Sequence, residues 1–126
     1  LLRRLSLLDP TAIVEGNRLL TEFKGALTEN YILESLLQQF EGVPRYWKSE
    51  NMAEVDFLVQ YRNEIIPIEV KADENIRSKS LTFFRKQYDP RISIRYSLRN
   101  LKLDGGVVNI PLFMADYTQS ILSKVI

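Results

Sequence analysis

The sequence contains no cysteine and no histidine. Those absences exclude disulfide scaffolds, thiolate zinc sites, His-based catalytic triads and imidazole general bases. Any metal bound by these side chains must be held by oxygen, which favours hard ions such as magnesium, manganese or calcium. Glycine and proline are sparse, five each in 126 residues, with no repeat and no low-complexity tract. No apolar run approaches the roughly 20 residues needed to span a bilayer. No signal-peptide pattern opens the chain, so the expectation is a cytoplasmic protein. The chain starts at Leu1 where a complete protein would carry methionine, as expected of a piece cut from a longer one.

What is present suffices for one core, since 45% of the residues are hydrophobic and 26% charged. The net charge of +1 conceals an asymmetry. Between Arg77 and Lys102 lie eight basic residues, Arg77, Lys79, Arg85, Lys86, Arg91, Arg95, Arg99 and Lys102, and one acidic residue, Asp89. A basic segment beside an acidic remainder suits phosphodiester binding, with acids for cations and bases for the backbone. The plain alternative is a solvated helix and strand face.

The sharpest local signal is EVDFLVQYRNEIIPIEVK, Glu54 to Lys71. Two strand-like runs flank Arg62-Asn63, a two-residue turn candidate. If Tyr61 faces Glu64, Asp56 falls opposite Glu69 and Glu54 opposite Lys71. Side-chain parity agrees, because Asp56 points away from Val55, Phe57 and Val59, and Glu69 and Lys71 point away from Ile66, Ile68 and Val70. Opposed carboxylates with Cβ atoms about 5 Å apart repel unless a positive group lies between them. A divalent cation or Lys71 would serve. The plain alternative is an ion-paired sheet edge involving Lys71 or Lys79, and Glu54 suits a cross-strand salt pair with Lys71.

Upstream, a helix is expected after Gly25, with Thr28 as a cap and Gly42 as the stop. Leu33, Leu36 and Phe40 form its apolar stripe, edged by Ile32 and Leu37, and Glu29 falls in the middle of that stripe. A carboxylate there is costly to bury without a partner, whereas Glu34 lies on the polar side. Glu29 also suits the dipole of a first helical turn.

Residues 1 to 24 read as a helical lead-in or linker with a turn at Asp9-Pro10, and 25 to 126 as one domain. Val43 to Lys48 reads as a strand whose Tyr46 and Trp47 suit the core, joined to the hairpin by Ser49 to Met52. A loop at Ala72 to Ile76 leads to a helix opened by Ser78 or Ser80, faced by Leu81, Phe84 and Tyr88 and closed by Asp89-Pro90. A strand at Ile92 to Tyr96 precedes a hairpin, Leu101 to Leu103 and Val107 to Leu112, turning at Asp104-Gly105-Gly106. A short amphipathic helix, Asp116 to Ile126, ends the chain. The order predicts an α/β fold, a mixed sheet flanked by helices.

Glu29 on a first helix, Asp56 on a strand, Glu69-Val70-Lys71 on the next and Lys79 at the start of a second helix resemble the PD-(D/E)XK nuclease superfamily. The resemblance covers about Gly25 to Tyr96 and implies a restriction-endonuclease-like, three-layer α/β/α fold. Its αβββαβ core would here carry an added C-terminal hairpin and short helix. More closely, Gly25-Ala26-Leu27-Thr28-Glu29-Asn30, Tyr46-Trp47, Glu54-Val55-Asp56-Phe57, Ile68-Glu69-Val70-Lys71 and Asn109-Ile110-Pro111-Leu112 resemble a domain of unknown function. That domain lies at the C-terminus of many bacterial and archaeal AAA-type ATPases, and this likeness spans nearly the whole chain. It implies an upstream P-loop module that would bind ATP and be a partner of this domain; no GxxxxGK[ST] occurs here.

The superfamily resemblance implies that Asp56, Glu69 and the Val70 carbonyl hold one or two Mg²⁺ or Mn²⁺ ions, joined by Glu29. Lys71 would orient or activate the attacking water. Lys79, Arg85, Lys86 and Arg95 would bind nucleic acid, DNA first, although Lys79 suits plain surface charge equally. Two functions from different classes follow: a metal-dependent phosphodiesterase, and a non-catalytic module that binds nucleic acid or assembles the ATPase. Oligomeric state stays open.

Overall fold

The computed structural model describes residues 17–40, 47–48, 54–71 and 79–126, which form a mixed α/β fold. Three helices are described, α1 (Asn17–Gln39), α2 (Lys79–Tyr88) and α3 (Thr118–Val125), with a 3₁₀ segment at Leu112–Tyr117. The strands are β1 (Trp47–Lys48), β2 (Glu54–Val55), β3 (Phe57–Tyr61), β4 (Glu64–Val70), β5 (Ser93–Ser97), β6 (Lys102–Asp104) and β7 (Val107–Pro111). β1 and β2 form a two-stranded sheet, and the other five form a sheet in the order β3-β4-β5-β7-β6. Its centre, β4-β5-β7, is parallel, and antiparallel hairpins close both edges. The expectations for the opening apolar run and the Asp9-Pro10 turn, for Val43 to Tyr46, for Ser49 to Met52 and for the loop after Lys71 lie outside the described residues. So do the side chains of Trp47, Glu54 and Lys79.

The first hairpin has the register its turn dictates. Arg62 and Asn63 adopt φ of 50° and 65°, the left-handed pair that matches strand twist in a two-residue turn. Tyr61 therefore faces Glu64, and the ladder runs to Phe57 opposite Ile68. Pro67 sits in β4 without loss, because its nitrogen points away from β3 and pairing with β5 begins only at Ile68. At the other edge Gly105 and Gly106, with φ of 58° and 85°, turn β6 back onto β7.

Each sheet face carries helices. On one, Ile66 and Ile68 of β4, Ile94 and Tyr96 of β5 and Val108 and Ile110 of β7 pack with Ile32, Leu36 and Phe40 of α1 and Leu122 of α3. On the other, Phe84 and Tyr88 of α2 border a cleft with Leu58 and Ile65. α2 ends where Asp89 enters the left-handed region at φ 46° just before Pro90. No described helix is long and apolar enough to cross a membrane.

Helix α1 departs from expectation in three ways. It begins by Asn17 and passes through Gly25 without a break. Thr28 does not cap it: its hydroxyl donates back to the Lys24 carbonyl at 2.8 Å. The buried stripe is Ile32, Ser35, Leu36 and Phe40, while Leu37 is exposed. That rotates the face by roughly 50° at about 100° per residue; Glu29 still falls on it, between Leu36 and Phe40, but it precedes the first buried residue, Ile32, and is exposed. Two polar groups cause the rotation. Ser35 donates to the Asp116 carboxylate, and Gln39 donates to the Ala115 carbonyl at 2.7 Å while accepting the Gln119 N–H at 2.9 Å. α1 thus docks the C-terminal segment through hydrogen bonds and supplies an acceptor to the open N-terminus of α3.

Tyr96, wholly buried, is held by a hydroxyl chain. Thr118 donates its one proton to the Ala115 carbonyl at 2.6 Å, so the Tyr96 hydroxyl, 2.5 Å away, must donate to Thr118. Burial pushes the phenol pKa above its ordinary value. Thr118→Val should therefore cost more than Tyr96→Phe, about 2 against about 1 kcal/mol, because only the former strands a buried donor. The double variant should cost less than the two singles together. The sign of the pH effect follows from the upward shift: this contribution is full below the unfolded phenol's pKa of about 10 and is lost as pH rises above it. Urea melts at neutral and alkaline pH check this, since Tyr96→Phe should lose that alkaline component.

Candidate functional site

The candidate site lies at the carboxyl end of β4, where open α/β sheets place their ligand crevices. β4 buries Ile66 and Ile68 on the α1 face and carries Glu69 on the opposite one, as strand alternation demands, with Lys71 just past its end. Glu69 is buried, and its Oε1 lies 3.8 Å from the Lys71 ammonium, with 9% of the Glu69 side chain exposed against 30% of Lys71. The Lys71 N–H continues the parallel ladder by donating to the Tyr96 carbonyl at 2.8 Å.

Asp56 is where the expected long strand breaks. The residue is a bend between β2 and β3, and the ladder stops one pair short of Asp56 opposite Glu69. In place of main-chain pairing, the Asp56 carboxylate accepts the Val70 N–H at 2.8 Å. A regular strand would have offered that N–H the carbonyl of Val55. Freed from β4, Glu54 and Val55 pair with Lys48 and Trp47. The expected cross-strand pairing of Glu54 with Lys71 is thus corrected: the side chain of Asp56 takes the ladder's place. The two acids still reach the same end of β4, each with a hydrogen-bonding or ionic partner.

A family model for a domain of unknown function, DUF4143, matches residues 24–114. The chain belongs to the DUF4143 family. No curated protein matches the chain, and no solved structure does. The matched span covers every candidate site residue, from Glu29 to Arg95, and the whole five-stranded sheet.

The remaining candidates of this DUF4143 domain are dispersed. Glu29 is exposed on α1, and among the described residues no three acids are gathered as a metal-holding group. Lys79 opens α2. Arg85 donates to the Gly105 carbonyl, tying α2 to the β6–β7 turn, and its guanidinium lies 3.2 Å from where a Cβ on Gly106 would stand. Lys86 is exposed. Arg95 is half-buried on β5, the register partner of Glu69, and its Nε donates to Asn109 Oδ1 at 3.4 Å.

Asn109, noted in the sequence only as part of the Asn109-Ile110-Pro111-Leu112 likeness, has a role that the sequence reading missed. It is buried in β7 and fills its whole hydrogen-bonding capacity. Its Oδ1 accepts from Ser97 at 2.6 Å and from Arg95, and its Nδ2 donates to the carbonyls of Arg99 and Asn100, both at 3.0 Å. The Ser97 hydroxyl in turn accepts the Arg99 N–H at 3.1 Å. One side chain therefore fixes β5, β7 and the segment that leaves β5, beside the end of β4. The available signal was a lone amide within the apolar run VVNIP, the same kind of signal that drew attention to Glu69.

Proposed function

We propose that this DUF4143 domain is a restriction-endonuclease-like module of an AAA-type ATPase, carrying a metal-dependent phosphodiesterase site at Asp56, Glu69 and Lys71. The observation that carries the reading is the convergence of Asp56 and Glu69 on one end of β4, with Lys71 at 3.8 Å from Glu69. The order helix, hairpin, helix, parallel strand around a mixed sheet supports the fold assignment. The donor set suits magnesium or manganese, hard cations that settle for one or two carboxylates and take their remaining ligands from water and phosphate. Asp56, Glu69 and the Val70 carbonyl would hold such an ion, and Glu29 is linked to it by the superfamily resemblance alone. When bound, the ion lowers the pKa of a coordinated water and polarises a phosphate. Lys71 would steady negative charge on the phosphate under attack. Arg95 and Lys86, with Lys79 at the head of α2, would contact the backbone of DNA.

The rival reading, a non-catalytic module for nucleic-acid binding or ATPase assembly, draws on two observations. Lys71 already neutralises Glu69, and one oxygen of Asp56 is spent on the Val70 N–H. Incubation with varied DNA substrates in magnesium or manganese separates the two. Cleavage by the wild type that chelator stops, and that Asp56→Ala and Lys71→Ala both lose while still binding DNA, is the expected result. Cleavage that survives both substitutions, or no cleavage by the wild type of any substrate, removes the enzymatic reading.

A further inference from the structure

The five-stranded sheet ends at β6, and no described strand lies beyond it. All three β6 residues are exposed, and Leu103 is 54% accessible. Behind it runs an apolar groove of about 450 Å³, lined by Leu103, Val108, Met114, Tyr117, Ile121 and Val125. We propose that the outer edge of β6 pairs antiparallel with the same edge of a second copy, across a two-fold axis through Leu103.

The hairpin fixes which main-chain groups are available. Asp104 and Val107 close the two-residue turn and Lys102 faces Asn109, so Asp104 and Lys102 direct their N–H and C=O groups toward β7. Leu103, between them, presents its own N–H and C=O outward. Two copies related by a two-fold axis at Leu103 exchange two hydrogen bonds there, and the sheet continues through the contact.

Charge selects that register. With the axis at Leu103, Lys102 of each copy stands directly opposite Asp104 of the other, in the close, non-hydrogen-bonded kind of pair. Moving the axis by one residue sets Lys102 against its own copy in one direction, or Asp104 against its own copy in the other. Both neighbouring registers thus place like charges face to face, which is how a sheet edge specifies one partner and rejects others. On the opposite face the two Leu103 side chains meet, and the apolar groove of each copy flanks the axis. A second copy satisfies the charge, main-chain and apolar requirements of this edge together. The inference does not depend on the site at Asp56 and Glu69.

Sedimentation equilibrium over a concentration series tests it. The wild type should show a reversible dimer. Lys102→Asp and Asp104→Lys should each weaken it about tenfold or more, since both symmetry-related pairs turn from attraction to repulsion. The combined variant, which restores opposite charges with their places exchanged, should dimerise like the wild type. Amide exchange at Leu103 in the wild type should slow as concentration rises, a readout that needs no variant to fold. A protein that stays monomeric at every concentration, a dimer indifferent to the single changes, or a combined variant no better than the singles would overturn the proposal.

Discussion

Asn109→Ala should lower the stability of the domain by about 3 kcal/mol, a large fraction of the roughly 5–15 kcal/mol that holds a typical domain folded. The cost comes from the groups left behind. The carbonyls of Arg99 and Asn100 lose their donor and the Ser97 hydroxyl loses its acceptor, and each desolvated orphan costs about 1–3 kcal/mol less whatever water can recover. Asn109→Asp distinguishes this cause from a simple loss of volume. That substitution keeps the acceptor for Ser97 and Arg95 but turns a carboxylate oxygen toward two carbonyls at 3.0 Å, a repulsion that outweighs the longer 3.4 Å contact with the half-buried Arg95 guanidinium and so disfavours ionisation. With its folded-state pKa raised above the unfolded value, the Asp variant should regain stability as pH falls through that raised pKa, where its proton restores one donor. Asn109→Ala should show no such recovery. Urea denaturation at neutral and mildly acidic pH measures both, and an Asp variant that tracks the Ala variant at every pH would refute the network account.

The contrast between Asn109 and the first hairpin indicates what a sequence can disclose. The register of β3 and β4 was legible because a two-residue turn and strict alternation fix it locally, and the structure has Tyr61 opposite Glu64 as read. The second hairpin and its Gly105-Gly106 turn were legible for the same reason. The break at Asp56 was not, because it depends on a side chain taking a main-chain role, accepting the Val70 N–H fourteen residues away. The face of α1 was misjudged for a related reason. Ser35 and Gln39 count as polar in any periodicity, yet they are drawn inward by Asp116, Ala115 and Gln119 some eighty residues later. Apolar patterning finds surfaces that bury carbon; it is blind to polar groups whose partners come from distant chain. Glu29 entered the candidate site as a carboxylate on that stripe, but it precedes the buried stretch of α1 and is exposed, so its place there rests on the family resemblance.

Glu69→Gln should separate the metal reading from the ion-pair reading without any assay of turnover. If Asp56 and Glu69 hold a divalent cation, manganese at about a hundred times its dissociation constant should stabilise the wild type by about 2.7 kcal/mol, a rise of roughly 10 °C in Tm for a domain of this size. The variant should lose that response. In chelator it should be about as stable as the wild type, because relief of repulsion between two acids gathered at one end of β4 offsets the lost 3.8 Å contact with Lys71. If Glu69 exists to pair with Lys71, both outcomes change. Manganese would then stabilise neither protein, and the variant in chelator would be weaker by about 2 kcal/mol. That figure is below the roughly 3–5 kcal/mol of a fully buried pair, because Lys71 keeps 30% of its side chain in water and stands 3.8 Å away. Thermal melts of the two proteins with and without manganese therefore give different patterns under the two readings. A metal-induced shift that survives in Glu69→Gln would place the cation elsewhere and count against the proposed site.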